Sequence, residues 1–193
     1  YRSTKFGRMA EVVASSVLIS LVYILLPLLF DCKAIPEEVH SVHELELVSW
    51  GCSDDHSYNP LSTLFFGGEE GAMKQMLGPT TGFMEWDIKL LSLFIVIYYG
   101  LSICSCGLSM PLGTFIPQVV AGAVFGRIAG ELVHMTGINP RLVSGPGTYA
   151  LIGAGAMLAG FTRMSCAIAV ILIEASGAIG LSAPIMLSII VSR

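Results

Sequence analysis

Between Leu90 and Gly126 the chain carries no Lys, Arg, Asp or Glu, a run of 37 residues. As one helix that run would reach about 55 Å at about 1.5 Å per residue, nearly twice the roughly 30 Å of a hydrocarbon core. It has to divide, and the sequence marks the place: Gly107-Leu-Ser-Met-Pro111-Leu-Gly113-Thr-Phe115-Ile-Pro117. Two prolines and two glycines within eleven residues stop a continuous helix. The division lies inside the apolar run, away from its charged ends, so backbone is expected to break at membrane depth. Such backbone is tolerated only where it is buried in protein or lines a watery cavity.

The rest of the chain agrees with a membrane setting. Of its 193 residues 54% are hydrophobic and 12% charged, with mean hydropathy +0.76. That is more apolar surface than one soluble core of this size can hide. A net charge of −4 leaves no basis for binding nucleic acid. Further uncharged runs cover Val12–Phe30, Leu142–Thr162 and Ala175–Ser192. Arg2, Lys5 and Arg8 precede the first run, whereas residues 31–87 hold eleven acids against Lys33 and Lys74. The positive-inside rule puts the amino end in the cytosol and the acidic stretch on the opposite face. The expected fold is all-α and polytopic, with broken or re-entrant helices. Residues 1–30 are a cytosolic start and first span, kinked by Pro27 in its final turns. Residues 31–87 are an acidic lumenal or extracellular loop with a short helix at 61–77, and 88–193 are a broken-helix bundle. Ile88 to about Ser105 forms a clear apolar helix entered through Glu85-Trp86-Asp87. A start at Tyr1, with no signal-peptide pattern, reads as an internal piece of a longer polypeptide.

A second helix should restart near Phe115, with Thr114 as N-cap and Pro117 allowed in the first turn. The restart leaves free N–H groups at Thr114, Phe115 and Ile116, with Gly113 just before them, at the positive end of a helix dipole. In a low-dielectric setting these four residues form an anion site made of backbone. The plain alternative is a helix–turn–helix between two short spans. Gly122, Gly126 and Gly130 recur at four-residue spacing, and Gly155, Ala156, Ala159 and Gly160 repeat the small-residue device. Both read as packing faces of a bundle. Arg127 and Arg163 read as cations snorkelling at helix ends, and Glu174 closes an apolar run. Glu131-Leu-Val-His134 has the spacing of a di-iron carboxylate motif, but stands as a single copy without partner carboxylates. His40 and His43 read as a solvated loop face. Cys32 and Cys52 are either a disulfide, which a lumenal compartment permits, or two free thiols. Cys104, Cys106 and Cys166 read as small hydrophobes in apolar runs. No catalytic set, metal site, Walker loop or dinucleotide fingerprint is present, so no enzyme activity and no cofactor are expected.

The break motif, followed by Gly122-Ala-Val-Phe-Gly126-Arg127, resembles the CLC family of chloride channels and chloride/proton antiporters. So do Tyr149-Ala-Leu-Ile-Gly153-Ala-Gly-Ala-Met-Leu-Ala-Gly160-Phe-Thr-Arg163-Met-Ser, Val170-Ile-Leu-Ile-Glu174-Ala-Ser and Pro184-Ile-Met-Leu. Residues 58–73 are similar to a loop of the intracellular and plant-vacuolar branch, which implies an organellar membrane. The resemblance covers about residues 9–30 and 58–193 and implies most of the second of two inverted repeats around an ion path. It implies that the N–H groups of Thr114 and Phe115 face a chloride or similar anion. It also implies a homodimer whose interface includes residues 163–192. The family's first-half motifs, with their gating glutamate, are absent, as are its late tyrosine helix and its cytosolic CBS domains. Voltage-gated channel and antiporter therefore both stay open. Two rivals stand beside transport: a membrane-embedded scaffold or accessory subunit without its own ion path, and a membrane enzyme using Glu131 and His134 with a metal.

Overall fold

The computed structural model describes residues 5–30, 32–34, 48–52, 57–67, 76, 87–108, 113–136, 145–176 and 179–193. Met110, Pro111, His40, His43, Glu85, Trp86 and most of 68–77 lie outside the described residues. The chain forms two compact units, one from Tyr1–Ala72 with Ile97–Thr114 and the other from Met73–Val96 with Phe115–Arg193.

In the first unit, α1 spans Lys5–Leu25. Proline has no N–H to give the ladder, so the helix ends before Pro27 rather than bending through it. The last rung runs from the Leu26 N–H to the Val22 carbonyl, 3.0 Å away. Pro27–Leu29 then tighten into a 3-10 turn, closed by the Phe30 N–H on the Pro27 carbonyl. The expected kink is thus a stop, and the helix begins several residues before Val12. Its flanks remain apolar and exposed, from Phe6 and Met9 through Val13, Val17 and Leu21 to Ile24.

Beyond α1, β1 (Lys33–Ala34) pairs antiparallel with β2 (Ser57–Tyr58), and Cys32 is disulfide-bonded to Cys52. Helix α2 (Pro60–Phe66) follows at once. Its N-cap, Asn59, is 1% exposed and acts in two directions. The Asn59 Oδ1 accepts from the N–H groups of Leu61 and Ser62, while its Nδ2 donates to the Pro27 carbonyl at 2.7 Å. One side chain thus caps α2 and fixes it to the end of α1. Tyr58 is buried beside it, and desolvation pushes its phenol above the ordinary tyrosine range, so the group stays neutral. Asn59→Ala removes a cap and strands a buried carbonyl, together about 2–3 kcal/mol. Asn59→Asp, which keeps the cap but has no amide to donate, should lie between the two in thermal unfolding of the detergent-solubilised protein.

In the second unit, α3 spans Ile88–Cys106 and begins here before running on into the first. Then come α4 (Phe115–Met135), α5 (Pro146–Thr162), α6 (Cys166–Ser176) and α7 (Ser182–Ser192). Helices α4 and α5 pack antiparallel with almost no side chain between them. A Cβ on Gly122 would lie 2.6 Å from the Gly153 carbonyl oxygen, and one on Gly126 would overlap the Tyr149 carbonyl. Gly130 meets the Tyr149 ring at 3.0 Å. The four-residue glycine face is thus an interhelical contact, with Gly153 as its unforeseen partner. Gly155 faces Leu172 of α6 and Ile189 of α7 instead.

Helix α5 ends on Arg163, whose φ of 56° is left-handed and whose N–H bonds the Ala159 carbonyl. That position usually holds glycine. Arg163→Gly should therefore raise stability by about 1 kcal/mol, read as a higher unfolding temperature.

Candidate anion site

The last turn of α3 tightens before the chain breaks. The Gly107 N–H bonds Cys104, and the Leu108 N–H bonds Ser105, both three residues back. The chain is next described at Gly113, which is exposed and open, then at half-buried Thr114, and α4 starts at Phe115. The uncharged run is therefore two helices of 19 and 21 residues, each long and apolar enough to cross a membrane. The first span, Phe6–Leu25, qualifies as well.

The first N–H groups of any α-helix lack an intrahelical acceptor. Among the described residues, no acceptor pairs with the N–H groups of Gly113, Thr114, Phe115 or Ile116. Pro117 sits inside the first turn and has no N–H to leave unpaired. The peptide dipoles of a helix this long sum to roughly +0.5 elementary charge at its start. The Phe115 and Ile116 side chains are 43% and 38% exposed, so this end of α4 is not plugged by its own apolar groups.

The charged side chains of α4 itself contribute little here. The nearest along α4 is Arg127, twelve residues beyond Phe115 and about 18 Å along the axis. At an effective dielectric of about 20, a unit charge at that range is worth about 0.9 kcal/mol. Glu131, one turn further, opposes it at about 24 Å with about 0.7 kcal/mol. The two nearly cancel, so within α4 the positive potential at its start comes from the backbone.

Arg127 corrects the sequence expectation. It does not snorkel: it is 1% exposed, and its Nη1 donates to the Met76 carbonyl at 2.7 Å. A helix-end cation and a buried one look alike until a partner 51 residues away is brought beside it. Arg163, by contrast, is exposed at the end of α5, and Glu174 is exposed on α6. Cys104, Cys106 and Cys166 are exposed free thiols in apolar helices. Glu131 and His134 lie near the end of α4, and no group of three or more metal-binding side chains occurs among the described residues. Sequence reasoning passed over Gln118, a polar residue 6% exposed on the same four-residue stripe as the glycines. Its amide beside three apolar steps was the available signal.

The sequence family described as voltage gated chloride channel matches residues 2–193. Chloride channel protein CLC-d of Arabidopsis thaliana is 32% identical over 177 residues, covering 87% of this chain and 22% of that protein. Chloride channel protein C of Dictyostelium discoideum is 32% identical over 200 residues, covering 100% and 25%. The H(+)/Cl(-) exchange transporter 7 of Bos taurus is 33% identical over 140 residues, covering 72% and 17%. The chain thus spans a quarter or less of the length of these relatives. A match across nearly every residue, on a helical chain with three helices long and apolar enough to cross a membrane, makes it a member of the voltage gated chloride channel family.

Proposed function

We propose that this chain supplies part of a transmembrane chloride path, in which the anion is held by the backbone N–H groups at the start of α4. Gly113, Thr114, Phe115 and Ile116 provide the site. The carrying observation is a row of N–H groups without acceptors among the described residues, opening a 21-residue apolar helix whose first cationic side chain is Arg127, twelve residues in. A site built of partial charges binds an anion without trapping it, as passage requires. Relatives named as channels and relatives named as exchangers both match, so the proposal covers either mode.

A break at membrane depth fits the length of α3. At 19 residues the helix is about 28 Å long. With Asp87 and Lys89 in the headgroup layer, about 6 Å outside the hydrocarbon, a tilt of about 40° brings its end to the bilayer midplane. We place the protein in an organellar membrane as a homodimer through residues 163–192. In support of the latter, α7 leaves Leu187, Ile190 and Val191 exposed, and α6 leaves Val170 and Ile171 exposed.

The test is flux from vesicles reconstituted with the full-length protein. Chloride efflux above that of protein-free vesicles is expected, and simultaneous proton movement separates exchange from conduction. Efflux no faster than the bare vesicles, from protein shown to be folded, would favour the scaffold reading.

A further inference from the structure

We infer that the Cys32–Cys52 disulfide is a redox-sensitive clasp. Oxidised, it holds the strap Val48–Cys52 against the chain leaving α1; reduced, it frees that strap while α2 stays docked. Two separate sets of contacts join α2 to the end of α1. One is direct: the Asn59 amide donates to the Pro27 carbonyl at 2.7 Å, and the rings of Tyr23 and Phe65 lie 4.6 Å apart. The other runs through the strap. The Val48 carbonyl accepts from the Asn59 N–H at 3.2 Å, and the Val48 N–H donates to Thr63 Oγ1 at 3.3 Å. The Trp50 ring lies 5.9 Å from that of Phe66. On the α1 side, Gly51 comes close to Leu28, and Cys52 is bonded to Cys32 just beyond the 3-10 turn.

Non-covalent support beside the bond is thin. The β1–β2 ladder has two residue pairs, Lys33 with Tyr58 and Ala34 with Ser57, and so short a ribbon is marginal by itself. The bond joins residues 20 apart in sequence, so breaking it returns chain entropy to the segment it closes. Both cysteines are half-buried rather than sealed in a core, which leaves the bond within reach of a small dithiol. A thiolate of that dithiol attacks one sulfur, the S–S bond breaks, and a mixed disulfide forms. The second thiol of the reagent resolves it. Cys32 and Cys52 each gain one electron and one proton, and the dithiol leaves as its own disulfide. The positive-inside reading puts this corner across the membrane from the cytosol, where a bridge persists until such a reductant arrives. Asn59 does not depend on the bond, so α2 keeps its hold on Pro27 after the strap lets go.

The test is amide hydrogen exchange on the full-length protein in detergent, before and after dithiothreitol, with alkylation and mass measurement to count the thiols released. Reduction should speed exchange at the Cys52 and Asn59 N–H groups, which bond Ser49 and Val48, by about tenfold or more. The Leu61 and Ser62 N–H groups, capped by Asn59, should change by less than about twofold. Cys32→Ser should exchange fast at the strap with or without the reagent. In Asn59→Ala, reduction should release Leu61 and Ser62 as well. Cys32 and Cys52 that resist alkylation until the protein is unfolded would overturn the inference, as an inert staple. So would strap exchange unchanged after confirmed reduction, or α2 in the parent loosening as much as the strap.

Discussion

Replacing Gly126 with alanine is expected to cost about 3 kcal/mol or more, the largest effect of any single methyl addition along α4. The physical reason is local. The new Cβ would overlap the Tyr149 carbonyl, a backbone atom that cannot move without shifting α5. Overpacking a closed contact usually costs about 1–3 kcal/mol, and backbone against backbone lies at the upper end. Alanine's better helix propensity returns about 1 kcal/mol, which makes the series diagnostic. Gly122→Ala meets the Gly153 carbonyl at 2.6 Å and should also destabilise strongly. Gly130→Ala meets the Tyr149 ring at 3.0 Å and its Cβ at 3.1 Å, looser than the backbone contacts of the other two, and should cost less. Gly100→Ala, with nothing within 4 Å, should be neutral or stabilising. Thermal unfolding of the four variants in one detergent checks the order. A Gly126→Ala protein as stable as the parent would mean that α4 and α5 do not touch as described.

The second large effect concerns the start of α4. Phe115→Pro should abolish most of the flux, whereas Phe115→Ala should change it only moderately. Both variants delete the ring, but only proline also deletes the N–H. Proline is well tolerated at the first position of a helix, and it restrains the preceding residue to extended backbone, which suits Thr114 as a cap. The difference between the variants therefore isolates one hydrogen-bond donor. A net charge-assisted bond of about 1.5–3 kcal/mol corresponds to about 10–100-fold in anion occupancy. Changes in the acidic stretch, such as Lys33→Gln, should leave flux unaltered. Equal flux from Phe115→Pro and Phe115→Ala would move the anion away from this turn.

Much of this architecture could be read before any coordinates, and the reason is specific. Proline and glycine act on their own backbone, so the restart at Phe115, the cap position at Thr114 and the first-turn place of Pro117 followed from local chemistry. The glycine spacing at 122, 126 and 130 likewise announced a close helix contact, though not its partner Gly153. What escaped depends on distant neighbours. The burial of Arg127 comes with the Met76 carbonyl that its guanidinium reaches. Cys32 and Cys52 could be bridged or free on sequence alone; a Cα separation of 5.9 Å, brought about by the β1–β2 pairing, decides it. The reach of the Asn59 amide to the end of α1 is likewise visible only in the fold. Pro27 was expected to bend α1, and the 3-10 turn shows the chain closing on itself instead.

The most direct measurement is anomalous diffraction from the full-length protein crystallised in bromide. The account requires a bromide peak within hydrogen-bond distance of the Phe115 and Ile116 N–H groups, with no lysine or arginine side chain touching it. Bromide bound elsewhere along the path, with the first turn of α4 covered by packed side chains, would contradict it.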